Sequence, residues 1–134
     1  MKKVKILLKT ATVSGSERET STFIYSGEYE KKDGTDYLRY SEITDGAKTD
    51  TTIKAVGNRV EITRSGAFGS TLIIEEGAVH KTEYKTPYGA FLMSVQGEKC
   101  KNSLGDGKLT AAYTLFNESG VIGQNEIEIK IKEV

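Results

Sequence analysis

Turn residues recur along this chain at intervals of about 8–12 residues, which is the spacing of a fold made only of strands. Asp33-Gly34, Asp45-Gly46 and Asp106-Gly107 are Asp-Gly steps, and Gly57-Asn58 and Glu76-Gly77 mark further turns. Asp-Gly supplies the positive φ angles that two-residue hairpins require. Between the turns, apolar and polar side chains alternate, most clearly where Ile127, Ile129 and Ile131 interleave with Glu126, Glu128, Lys130 and Lys132. No window of helical length carries an apolar stripe. The pattern predicts strands over residues 3–13, 20–31, 36–44, 48–56, 59–65, 70–75, 78–86, 90–96, 108–116 and 121–132. Residues 97–107, rich in Gly, Asn and Asp, are expected to form the longest loop. So many short antiparallel strands leave exposed edges unless the sheet closes on itself, so the expectation is one all-β barrel domain over residues 1–134.

The totals exclude several classes of function. Nineteen basic and nineteen acidic residues cancel, with no basic face, so nucleic acid is not the expected partner. Cys100 is the only cysteine, which forbids an intrachain disulfide. The flanking Lys99 and Lys101 would favour a thiolate, yet the residue reads as an incidental loop cysteine. Lys5 and Lys9 break the apolar N-terminal stretch, and no run approaches the ~18 apolar residues of a membrane span. The expected location is therefore the cytoplasm, without membrane contact. With one histidine and one cysteine, zinc-ligand spacing is missing. Nucleotide-binding fingerprints and a nucleophile elbow are missing too. No metal, cofactor or catalytic residue is nominated.

Strand alternation assigns polar residues to faces. Arg64 shares a face with Val60 and Ile62, and Glu42 with Leu38 and Tyr40. Lys54 shares one with Thr52 and Val56. His80 and Tyr84 oppose Lys81, Glu83 and Lys85, which belong in solvent. The expected lumen set is thus Arg64, Glu42, Tyr84, His80, Tyr40 and Lys54. An inward arginine needs a partner. Either Arg64 pairs with Glu42 or caps a barrel end, or it binds an anionic ligand.

Several short motifs resemble one known family. They are Gly27-Glu28-Tyr29, Tyr37-Leu38-Arg39-Tyr40-Ser41-Glu42, Arg64-Ser65-Gly66 and Tyr84-Lys85-Thr86-Pro87-Tyr88-Gly89, together with Val60, Leu92 and the C-terminal isoleucine alternation. The chain resembles the YwiB-like proteins, small bacterial proteins of unknown function. That resemblance implies an up-and-down antiparallel β-barrel of the calycin or lipocalin-like kind, with about 8–10 strands and a central cavity. It implies no activity. Three functions are carried forward. The first is a module binding a small, partly apolar or anionic ligand through Arg64, Tyr84 and Glu42. The second is a filled barrel whose outer face engages a partner or a second copy, as in a homodimer. The third, weaker, is an enzyme using Glu42, His80 and Arg64.

Overall fold

The computed structural model describes residues 1–66, 69–86 and 88–134, with the backbone alone at 84–86. Ten strands form one antiparallel sheet: β1 (Lys2–Ser14), β2 (Glu17–Lys32), β3 (Thr35–Thr44), β4 (Ala47–Val56), β5 (Arg59–Ser65), β6 (Ser70–Glu75), β7 (Val79–Thr86), β8 (Gly89–Ser103), β9 (Lys108–Asn117) and β10 (Gly120–Glu133). Their order, β6-β5-β4-β3-β2-β1-β10-β9-β8-β7, is a meander in which the two terminal strands pair with each other. Ile6 lies opposite Ile131, and Leu8 opposite Ile129. This is a nearly closed ten-stranded barrel.

The Asp-Gly hairpins form as the sequence requires. Asp33 and Gly34 have φ of 52° and 78°, and Asp45 and Gly46 have 53° and 79°. Paired positive angles twist a two-residue turn to match the strands it joins.

The expected loop at 97–107 is mostly strand. β8 runs on to Ser103, with a register shift between Gly97 and Lys99, and only one 3-10 turn (Leu104–Asp106) precedes β9. The polar composition misled because, beyond the bulge, Lys99 and Lys101 face solvent while Cys100 sits among core side chains. One extra residue in a strand re-phases every side chain after it.

Closure comes at the seam between β6 and β7, which share no ladder. Side chains stitch it: the Thr82 hydroxyl donates to the Thr71 carbonyl, and His80 Nε2 lies 2.9 Å from Glu75 Oε1. Backbone bonds continue the stitching at one end. Glu76 N donates to Asn58 O at 3.1 Å, and Gly77 N to Gly97 O at 2.9 Å.

Among the described residues, the interior is filled at one end. We call that end, which holds the β2–β3, β4–β5 and β8–β9 connections, the base. Here Val4, Ile6, Leu38, Ile53, Val60, Ile74, Leu109 and Ile129 pack around Leu104, which plugs the opening from its 3-10 turn. Asp36, only 4% exposed, sits in the same plug. It accepts from the Tyr29 hydroxyl, and from Asn102 Nδ2 at 2.9 Å, while Asn102 Oδ1 accepts from Leu104 N at 3.1 Å. A buried carboxylate is tolerated when its oxygens are hydrogen-bonded. The opposite end, the mouth, has no such plug among the described residues.

Candidate functional site

Toward the mouth the inward row changes from aliphatic to polar and aromatic. Thr10 and Thr12 continue the β1 row of Val4, Ile6 and Leu8, while Arg64 continues the β5 row of Val60 and Ile62. Arg64 lies opposite Ser70 of β6, and Asn125 of β10 lies opposite Tyr113 of β9. These residues, with Leu72 and Ile127, border a cavity of about 220 Å³. Its apolar wall is Ile62, Leu72 and Ile127, and an aromatic stack lies outside that lining. Tyr25 and Tyr40 stack with ring centroids 4.4 Å apart, and Phe23 adds a third ring 6.1 Å from Tyr25.

Arg64 is exposed at this mouth. The expected pair with Glu42 does not form: among the described residues Arg64 belongs to no ion pair. Glu42 instead accepts a hydrogen bond from the Tyr25 hydroxyl at 3.0 Å. Burial raises the Tyr25 pKa well above the usual phenol range, and the Glu42 hydrogen bond raises it further. Burial also raises that of Tyr40, against the lowering pull of the Arg64 charge. Arg64, Glu42, Tyr40 and Tyr25 are therefore one electrostatic cluster.

The remaining nominated residues fall elsewhere. His80 is held at the seam by Glu75, whose carboxylate also lies 3.7 Å from Arg59. Glu75 is five residues along β6 from the partner of Arg64, roughly 16 Å at the rise of a strand. Glu42, His80 and Arg64 thus do not converge on one atom. Lys54 is corrected: it is exposed on the outer face, between Tyr37 and Glu61. The phase was misread from Val56, which is itself 43% exposed, whereas Ile53 and Ala55 carry the core row. The Tyr84 side chain lies outside the described residues, as does Pro87; the Tyr84 backbone pairs with Phe91 in β7 and β8. Sequence reasoning missed Tyr25, Asn125 and Thr10. Tyr25 could have been found, since Tyr29 two turns of the alternation away shares its face; Asn125 sits past a bulge between Val121 and Gly123 and could not.

Several larger hollows are present, and the two largest of them lie on the outer surface. One of about 520 Å³ is bordered by Lys9, Thr20, Thr22, Lys99, Thr110 and Glu128, among others. A second, of about 570 Å³, lies between Lys81, Ser94 and Phe116. The first is a trough between long charged side chains, several already paired, such as Arg18 with Glu126 at 3.6 Å and Lys130 with Glu128 at 3.3 Å. Size alone does not make either a site, and the smaller lumen cavity sets Ile62, Leu72 and Ile127 against donors from Arg64, Ser70 and Thr10. Among the described residues no group of His, Cys, Asp and Glu could hold a metal ion. No helix is long and apolar enough to cross a membrane.

Cys100 is buried in β8 rather than in a loop. Burial, aided by the nearby Glu76 carboxylate, pushes its thiol up to about 11 despite the flanking lysines. Tyr29 is pushed up to about 12, first by burial and then by its hydrogen bond to Asp36. Both groups hold their protons more tightly in the folded state than in the unfolded one. Their contribution is complete below the ordinary values, 9.0 for the thiol and 10.0 for the phenol, and is lost as pH rises through the folded values. The melting temperature should therefore hold steady up to about pH 9 and fall progressively toward pH 12. Tyr29→Phe should flatten the upper part of that fall in thermal melts at graded pH. An unchanged slope would refute the assignment.

Comparison with known proteins agrees with the architecture. The family described as "Domain of unknown function (DUF1934)" matches residues 6–129. The crystal structure of ywiB protein from Bacillus subtilis is similar in fold, with a TM-score of 0.79 over 96% of this chain and 91% of that one. At 22% identity that likeness concerns the fold alone. No curated protein matches significantly.

Proposed function

For this chain, which belongs to the family described as a domain of unknown function (DUF1934), we propose a small-ligand-binding function located in the mouth half of the barrel. The observation that supports it most is the division of the interior. The base is packed solid around Leu104, while the mouth half holds a cavity bordered by Arg64, Ser70 and Thr10 on one side and Leu72, Ile62 and Ile127 on the other. Small-molecule sites combine apolar walls with a few converging polar groups, and the lining of this cavity divides about evenly between the two. At about 220 Å³ it is smaller than the ~300–1,000 Å³ of sites for drug-sized molecules, which favours a short ligand. On this reading the barrel works as calycin-like barrels do, holding one molecule inside the sheet, and it operates in the reducing cytoplasm.

A neutral fluorescent probe, N-phenyl-1-naphthylamine, tests the location. Saturable fluorescence enhancement is expected with the native protein. Leu72→Trp, which fills the cavity, should weaken it at least tenfold with little change in melting temperature. Thr22→Trp in the outer trough should leave it intact. Enhancement that survives Leu72→Trp but disappears with Thr22→Trp would move the site to the outer face.

An interaction barrel is the second reading. Ile43, Tyr88, Leu92 and Val121 are exposed apolar residues at the mouth end, with Tyr88 at 93% and Ile43 at 74% exposure. Clustered apolar exposure is a mark of protein contact surfaces. A concentration-dependent dimer that masks the mouth and excludes the probe would favour it.

A further inference from the structure

We infer that the lumen site reads a single carboxylate, so that its ligand is a short aliphatic monocarboxylic acid with the head at Arg64 and the chain along Leu72, Ile62 and Ile127. The inference rests on the lumen reading above and adds the head group. Arg64 brings a guanidinium to the cavity, and among the described residues it has no acid partner. The nearby acid that might have neutralised it, Glu42, is turned to the Tyr25 hydroxyl. The carboxylate residue that does border the cavity is Glu126, and its side chain is engaged by Arg18 at 3.6 Å.

Asn125 frames the cavity beside Arg64. Thr12 Oγ1 donates to Asn125 Oδ1 at 3.0 Å, which fixes the amide. Its Nδ2 is buried, with no hydrogen-bond partner among the described residues. Enclosed in this way it is out of contact with the cavity, so Asn125 shapes the wall and the donors are Arg64 and the neighbouring hydroxyls. The hydroxyls of Ser70 and Thr10 complete a rim able to donate.

The charge count selects among anions. One arginine, with no lysine or second arginine among the described residues that border the cavity, balances one negative charge. A phosphate monoester carries about −1.5 to −2 at neutral pH and would remain under-compensated. A carboxylate carries one charge and presents the planar pair of oxygens that a guanidinium grips with two parallel hydrogen bonds. Ile62, Leu72 and Ile127 give an apolar chain a wall to lie against.

Calorimetric titration with hexanoate, hexanamide and hexyl phosphate tests the head group. Hexanoate should bind at least tenfold more tightly than the other two. Arg64→Gln should abolish the advantage of hexanoate over hexanamide, and Arg64→Lys should restore part of it. Equal binding of hexanamide, tighter binding of hexyl phosphate, or hexanoate binding untouched by Arg64→Gln would each overturn the carboxylate inference. If none of the three binds while the neutral probe still enters, the head-group inference fails and the lumen reading stands. If the probe fails as well, both fall. Should Arg64→Gln not fold, the ranking of the three ligands on the native protein decides by itself.

Discussion

Gly97→Ala should destabilise the barrel by about 3 kcal/mol, near the upper end of what overpacking costs. A Cβ at position 97 would stand 2.0 Å from the Glu75 carbonyl oxygen and 2.5 Å from its carbon. The obstacle is backbone, so no side chain can swing aside. The same glycine donates its N–H to Ala78 O and accepts from Gly77 N, both at 2.9 Å. These bonds anchor the turn from β6 to β7, where a ladder is missing and the barrel would otherwise open. Moving β8 away to relieve the clash breaks them, so the steric penalty and the loss of the seam add. Gly105→Ala is the control, since a Cβ there meets nothing within 4 Å. Urea unfolding should show a large drop in midpoint for the first variant and a change within ~0.5 kcal/mol for the second. Equal midpoints would mean that the seam is not packed as described.

Asp36→Ala should cost about 3 kcal/mol through a different mechanism, the stranding of donors. Tyr29 and Asn102 would each lose an acceptor inside the base plug. Buried unsatisfied groups cost ~1–3 kcal/mol apiece. Asn102 also holds the backbone of Leu104, so the plug itself loosens. Asp50→Ala, on the exposed face opposite Ser41, should cost far less. Asp36→Asn separates shape from charge. It keeps an acceptor, so it should destabilise less than Asp36→Ala. It should also bring Tyr29 down from about 12 toward the ordinary phenol value, because part of the elevation comes from the Asp36 charge. A spectrophotometric tyrosine titration reads that shift directly, and no shift would refute the contact.

The periodic part of this fold was legible from sequence, and the aperiodic part was not. Asp-Gly turns and two-residue alternation place nine of the ten strands closely, because each signal is local. β8 escaped, since its bulge at Gly97 breaks the alternation that reveals a strand, and glycine read there as loop although it permits the tightest backbone approach in the seam. The inward row through Leu38, Tyr40 and Glu42 and that through Val60, Ile62 and Arg64 were both correctly phased, because buried aliphatics precede the polar residue on the same face. Lys54 failed for the converse reason: one exposed valine was taken as the guide. The pairing of Glu42 with Tyr25 rather than Arg64 depends on which strands neighbour each other and on side-chain reach, which alternation does not encode. Asn125 reaches the cavity only through the closure of β10 onto β1, the longest-range contact in the chain.

On the proposed reading, the barrel interior divides into a solid base and a receptive mouth. Amide NMR spectra of the intact protein during titration with hexanoate test it most directly. Saturable shifts should gather at Ile62, Arg64, Ser70, Leu72 and Asn125, with Leu38, Leu109 and the outer-trough residues Thr20 and Thr110 unmoved. Shifts concentrated in the outer trough, or none in the mouth at saturating ligand, would contradict it.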